Sequence, residues 1–117
     1  MGNFRKLQVW LKAKDLAVKI YQLTKNESIA KDFGFKDQIQ RASVSIPSNI
    51  AEGDELGTDK QSVRHFYIAK GSSAELQTLI IIGSEIGYLN SKIAEELINE
   101  SKTISYMLAK LISARSK

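Results

Sequence analysis

The chain has 117 residues, 43% of them hydrophobic and 26% charged, with one proline and no cysteine. This balance fits one globular domain spanning 1–117, and the lack of cysteine excludes disulfides and thiolate metal sites while suiting a reducing cytoplasm. No apolar leader core and no run near the ~18 apolar residues of a membrane span is present, so no membrane association is expected.

Net charge is +4, with a pI near 9.3. The excess sits at the start. Arg5, Lys6, Lys12, Lys14, Lys19 and Lys25 face only Asp15 within the first 25 residues, a net +5 that leaves −1 for the rest. A basic stretch of this kind suits an anionic partner, RNA or DNA first. The plainer alternative is a solubilising lysine face. Apolar residues recur at helical spacing almost throughout, with no sustained strand-like alternation. The expected fold is all-α, an antiparallel up-down-up-down four-helix bundle.

The first helix is predicted from about Gln8 to Lys25. Val9, Ala13, Leu16, Ala17, Ile20 and Leu23 form its core face, and Arg5, Lys12 and Lys19 line one edge. Leu11 and Val18 lie on the opposite side, with Trp10 and Tyr21 at the boundary. A second apolar strip on one helix suggests a subunit interface through these four residues. Asn26 to Gly34 reads as a loop.

The second helix, from about Phe35 to Gly53, contains the run QIQRASVSIPSNIAEG (Gln38 to Gly53). Ile39, Ala42, Ile46 and Ile50 share an apolar stripe. Arg41, Ser45, Ser48 and Glu52 share a polar one, flanked by Gln38 and Asn49. Pro47 removes a backbone hydrogen bond and costs roughly 3 kcal/mol in a helix interior, which predicts a kink there. Either the polar stripe is solvated, or it packs against charged groups of the next helix. In the second case Arg41, Ser45, Asn49 and Glu52 would join Arg64, Ser72 and Glu75 in a structural polar cluster that sets helix register.

Gly53 to Gly57 reads as a loop, and Thr58 as the cap of a third helix from about Asp59 to Ile86. Phe66, Ala69, Ser73, Leu76 and Ile80 form one stripe. Ile68, Leu79, Ile82 and Ile86 form another, on the side of Arg64, Gly71 and Glu75, so this helix is expected to be buried on more than one side, with Glu75 needing a partner. Gly87 should end it in a left-handed cap. Asn90 or Ser91 opens the fourth helix, which reaches about Ser113 along Ile93, Leu97, Ile104, Leu108 and Leu111. The tail Ala114 to Lys117 is expected to fray.

Catalytic patterns are missing. His65 is the only histidine, so a histidine-based metal site, a Cys–His dyad or a di-iron carboxylate centre cannot be assembled. No phosphate-binding glycine loop occurs. The expectation is a non-enzymatic protein without metal or cofactor.

The run RASVSIPSNIAEG resembles the signature of the helical-bundle proteins named after intervening sequences in bacterial 23S rRNA genes. The accessory proteins of diversity-generating retroelements are similar. FRKLQVWLKAKDLAVKIY at the start, RHFYIAKGSSAEL (Arg64 to Leu76) and EIGYL (Glu85 to Leu89) fit the same resemblance. It implies a ring-like homo-oligomer, a pentamer in this family, and a nucleic-acid-related role. The alternative it implies is a protein–protein scaffold or an accessory subunit, for example of a reverse transcriptase.

Overall fold

A computed structural model describes residues 2–56 and 58–116. Gly57, expected to close a loop, and Lys117 at the tail lie outside the described residues. The fold is all-α, with five α-helices among the described residues: α1 (Gln8–Leu23), α2 (Glu27–Lys31), α3 (Phe33–Glu55), α4 (Asp59–Glu85) and α5 (Ser91–Arg115). No strand occurs among the described residues. A 3-10 turn, Phe4–Lys6, precedes α1.

The helix starts follow from capping side chains, which satisfy backbone donors that have no partner inside the helix. Asn26 accepts from the Ile29 amide, Asp32 from Phe35, Thr58 from Gln61 and Asn90 from Ile93. The segment expected as a loop after α1 therefore holds an extra turn of helix. Its cap is Asn26 and its anchor is Ile29, which is fully buried. At the end of α4, Gly87 takes a φ of +87°, the left-handed conformation that glycine adopts freely. The Tyr88 amide then reaches back to the Gly83 carbonyl at 2.8 Å.

The four long helices pack in a closed cycle, with α1 on α3, α3 on α4, α4 on α5 and α5 on α1. Among the described residues the backbones of α1 and α4 do not approach each other directly. The result is a rod of 44 × 20 × 20 Å. Leu16, Ile20, Ile39, Ile46, Ile50, Phe66, Leu76, Ile80, Ile104 and Leu108 fill its interior. These are the residues that helical periodicity assigns inward, and their burial is the main favourable term in folding.

Two polar contacts between helices lie where the sequence reads only breaks in the pattern. Ser73 of α4 meets Ser101 of α5 at 2.6 Å, both fully buried, with Ser105 and Gln77 adding further bonds. The α5 end is tied down rather than frayed. Arg115 pairs with the buried Asp54 at 3.0 Å and lies 5.4 Å from the Phe66 ring centroid. For that reason α3 runs past Gly53 to Glu55 instead of ending in a loop.

At the opposite end, Tyr88 holds α2, α3 and α4 together. Its hydroxyl donates to Asp32 at 2.7 Å, its carbonyl accepts from the Asn26 amide group, and its ring packs edge-on against Phe35. The Tyr88 bond, and after it the Phe35 amide, holds the Asp32 carboxyl below its ordinary 3.8. The same bond, with some desolvation, raises the Tyr88 phenol above its ordinary 10.0. The signs follow by linkage. The Asp32 contribution to stability is present above 3.8 and is lost as pH falls through its lowered folded value. The Tyr88 contribution is present below 10.0 and is lost as pH rises through its raised folded value. Replacing Tyr88 by Phe should move the Asp32 titration upward toward 3.8, as read from its carboxyl carbon in an NMR pH series. An unchanged titration would show that Tyr88 does not set it.

Candidate nucleic-acid interface

The basic residues of the first segment separate onto two edges of α1. Lys12 and Lys19 line a groove toward α5, together with Asp15, Glu100 and Thr103. Lys14 and Lys25 line a different groove, toward α3, together with Lys36. The reason is angular: Lys12 and Lys19 are seven apart, Lys14 and Lys25 eleven apart, and the two pairs lie about 140° from each other around the helix axis.

Local pairing weakens part of the set. Lys19 reaches Glu100 at 2.9 Å, and Lys14 reaches its neighbour Asp15 at 2.7 Å. Both pairs are solvent-accessible, so each is worth little and breaks readily. Arg5, Lys6, Lys12 and Lys25 are exposed and make no ion pair among the described residues. The Arg5 guanidinium lies 5.9 Å from the Phe4 ring centroid. Lys12 and Lys19 thus lie along the α5 edge of α1, while Arg5 and Lys6 sit on the preceding 3-10 turn, which packs against α1 and α3.

The expected interface residues divide in the same way. Val18 and Tyr21 are exposed on the α3 side of α1. Trp10 and Leu11 are partly covered, and Trp10 packs edge-on against Phe4.

The charged cluster expected between α3 and α4 does not assemble. Ser45 and Ser72 meet, Oγ to Oγ, at 2.7 Å, and Asn49 donates to the Ser45 carbonyl at 2.8 Å. Arg41, Glu52, Arg64 and Glu75 are exposed instead. Arg41, Arg64 and Glu75 make no ion pair among the described residues. Of the α3 residues expected in the cluster, only Ser45 and Asn49 lie at the angle that faces α4. Arg41 and Glu52 lie further round, where long charged side chains keep their hydration at no cost. Ile68 and Ile82, expected to bury Glu75, are themselves exposed.

The partner that sequence reading missed is His65. Its Nδ1 is 3.0 Å from the Asn49 side-chain oxygen. Because the Asn49 amide nitrogen is committed to Ser45, the oxygen faces the ring and His65 donates to it through Nδ1–H. Glu52 lies 3.8 Å from the same nitrogen. The spacing between Asn49 and His65 crosses a loop, so no periodicity could reveal it. Gly53 completes the seam. Its carbonyl accepts from the buried Ser62 hydroxyl, and a Cβ there would come within 2.7 Å of the Phe66 ring. The run Ser45 to Gly53 is therefore a helix–helix seam of small residues. Among the described residues, no group of three or more His, Asp or Glu side chains lies close enough to hold a metal. Among the described residues, no helix is long and apolar enough to cross a membrane.

The profile of the 23S rRNA-intervening sequence protein family matches residues 5–110. The chain belongs to that family. It is also similar to a crystal structure from Bacteroides thetaiotaomicron, described as a protein with unknown function from the S23 ribosomal protein family. That likeness has a TM-score of 0.82 and 26% identity, and covers 89% of this chain and 97% of the other. No curated protein matches the chain significantly. The family match spans α1 through most of α5, so the basic edge of α1 and the seam both fall within it.

The seam makes a testable contrast. Gly53→Ala should destabilise the fold by about 1–3 kcal/mol, since the interior must shift to admit the methyl group. Gly34→Ala, in the first turn of α3 with only Asp32 nearby at 3.8 Å, should be neutral or stabilising by up to ~1 kcal/mol. Chemical denaturation of the two variants checks this. Equal effects would mean that the α3–α4 contact tolerates bulk.

Proposed function

We propose that this chain is a non-catalytic, self-associating protein that binds nucleic acid, RNA foremost, through the basic edge of α1. On this reading the four long helices form an antiparallel up-down-up-down bundle, with α3 bent at Pro47. The bundles assemble into a ring in the cytoplasm, and the family resemblance makes that ring a pentamer. The observation that carries the proposal is the exposed pair Lys12 and Lys19 on the α5 edge of α1, with Arg5 and Lys6 exposed on the turn before it, in a chain whose entire positive excess lies in its first 25 residues. The family's name ties its members to intervening sequences of 23S rRNA, and the similar Bacteroides protein is placed in a ribosomal-protein family. Both associations favour RNA as the polyanion.

The chemistry follows from charge and shape. Lysines on an exposed edge contact phosphates and release counterions, which gives salt-dependent affinity with little base specificity. Glu100 competes with phosphate for Lys19, and Asp15 lies in the same groove. A repeated basic edge in an oligomer raises avidity without new contacts. The scaffold alternative, in which the family resemblance to reverse-transcriptase accessory proteins is the better guide, assigns the same surface to a partner protein.

Fluorescence anisotropy with a structured RNA at several salt concentrations tests the proposal. Lys12→Glu with Lys19→Glu should weaken binding for every sequence and flatten the slope of log affinity against log salt by about two units. Glu100→Gln should strengthen binding by freeing Lys19. If the wild type does not bind even at low salt, or the double variant binds equally well, the nucleic-acid reading fails and the scaffold reading replaces it.

A further inference from the structure

The outer face of α4 carries a stripe that the fold leaves bare. Arg64, Ile68, Gly71, Glu75, Ile82 and Ile86 recur at helical spacing and are all exposed. Ile68 and Ile82 are each 44% exposed and Ile86 is 54% exposed. A Cβ built on Gly71 meets nothing within 4 Å, so no other part of the chain covers the middle of the stripe. Isolated surface apolars are ordinary, but three isoleucines in register along one helix form a patch.

A second apolar surface lies elsewhere. Ala17, Val18 and Tyr21 of α1, with Val44 and Pro47 of α3, line an open groove. Lys14, Lys25 and Lys36 line the same groove, and no acidic residue does. Because the backbone of α4 approaches those of α3 and α5 but not that of α1, the stripe and the groove open on different sides of the rod. One chain cannot bring them together.

Their charges are complementary. From Gly71 to Ile86 the α4 sequence holds Glu75 and Glu85 and no cation. The carboxyl end of the helix adds the negative pole of its dipole. We infer that the α4 stripe of one copy seats in the α1–α3 groove of the next. Ile82 and Ile86 would meet Val18, Tyr21 and Val44, and the glutamates would meet the lysines. This rests on the self-association reading above and adds which surfaces meet. A contact between two different patches is head-to-tail, so it closes into a ring or runs on as a filament. Like-to-like pairing of the groove would instead set lysine against lysine.

The absence of cysteine gives a direct test. Val18 and Ile82 are both exposed, so Val18→Cys and Ile82→Cys should leave folding intact, which a thermal melt checks. The purified double variant, treated with a short bismaleimide, should give a covalent ladder on a denaturing gel, while each single variant stays monomeric. Light scattering of the wild type is read alongside. A ladder only in the double variant supports the contact. Dimers from a single variant would mean like-to-like pairing and overturn it. An assembled wild type with no cross-link in the double variant overturns it while leaving self-association standing. A wild type that is monomeric at tens of micromolar defeats both, and leaves the groove to a different partner protein.

Discussion

The contact between α3 and α4 sets the terms for the rest of the molecule. It is built from side chains with little bulk. Gly53 lies against Phe66, Ser62 hydroxyl bonds the Gly53 carbonyl, Ser45 meets Ser72, and Asn49 meets His65. Gly83 plays the corresponding part from the α4 side, where a Cβ would come within 2.9 Å of Phe35. Small residues let the two helices approach closely, and the hydroxyls of Ser45, Ser62 and Ser72 and the amide of Asn49 all have partners there. A half-satisfied seam would be worse than an apolar one, because a buried unpaired group costs about 1–3 kcal/mol. Holding α3 and α4 in this register presents the α1 groove on one side and the bare face of α4 on another.

The most distinctive stretch of the sequence therefore serves architecture. The run from Arg41 to Gly53 has Ser45 and Asn49 turned into the seam and its charges turned to water. The groups suited to a ligand lie instead on α1, where Lys12 and Lys19 face the α5 edge and Lys14 and Lys25 face the α3 edge. This division lets one helix serve two purposes. On the proposed reading one edge contacts phosphates while the other lines an apolar groove.

Much of the fold was legible because long helices repeat their pattern over many turns. The inward stripes of α1 and α3 and the first stripe of α4 are the ones periodicity selects, while in α5 Ala94 and Ile112 turn inward in place of the expected Ile93 and Leu111. The Thr58 cap and Gly87 terminator carry their own chemistry. The short α2 was not legible, since five residues hold too little period. The Asp54–Arg115 pair was hidden because Gly53 reads as a helix end, whereas here glycine is required by the approach of Phe66. The hardest misreading was the second stripe of α4. Ile68, Ile82 and Ile86 have the spacing of core residues, and sequence pattern alone cannot distinguish burial inside a chain from burial against another. Glu75 was misjudged for the same reason.

The central claim is that the signature run is structural and that ligand recognition belongs to α1. Hydrogen–deuterium exchange of the assembled protein, with and without a structured RNA, tests it most directly. The account predicts that RNA adds protection across Phe4 to Leu23 and leaves the already protected α3–α4 seam unchanged. New protection centred on Gln38 to Gly53, with none on the first helix, would contradict it.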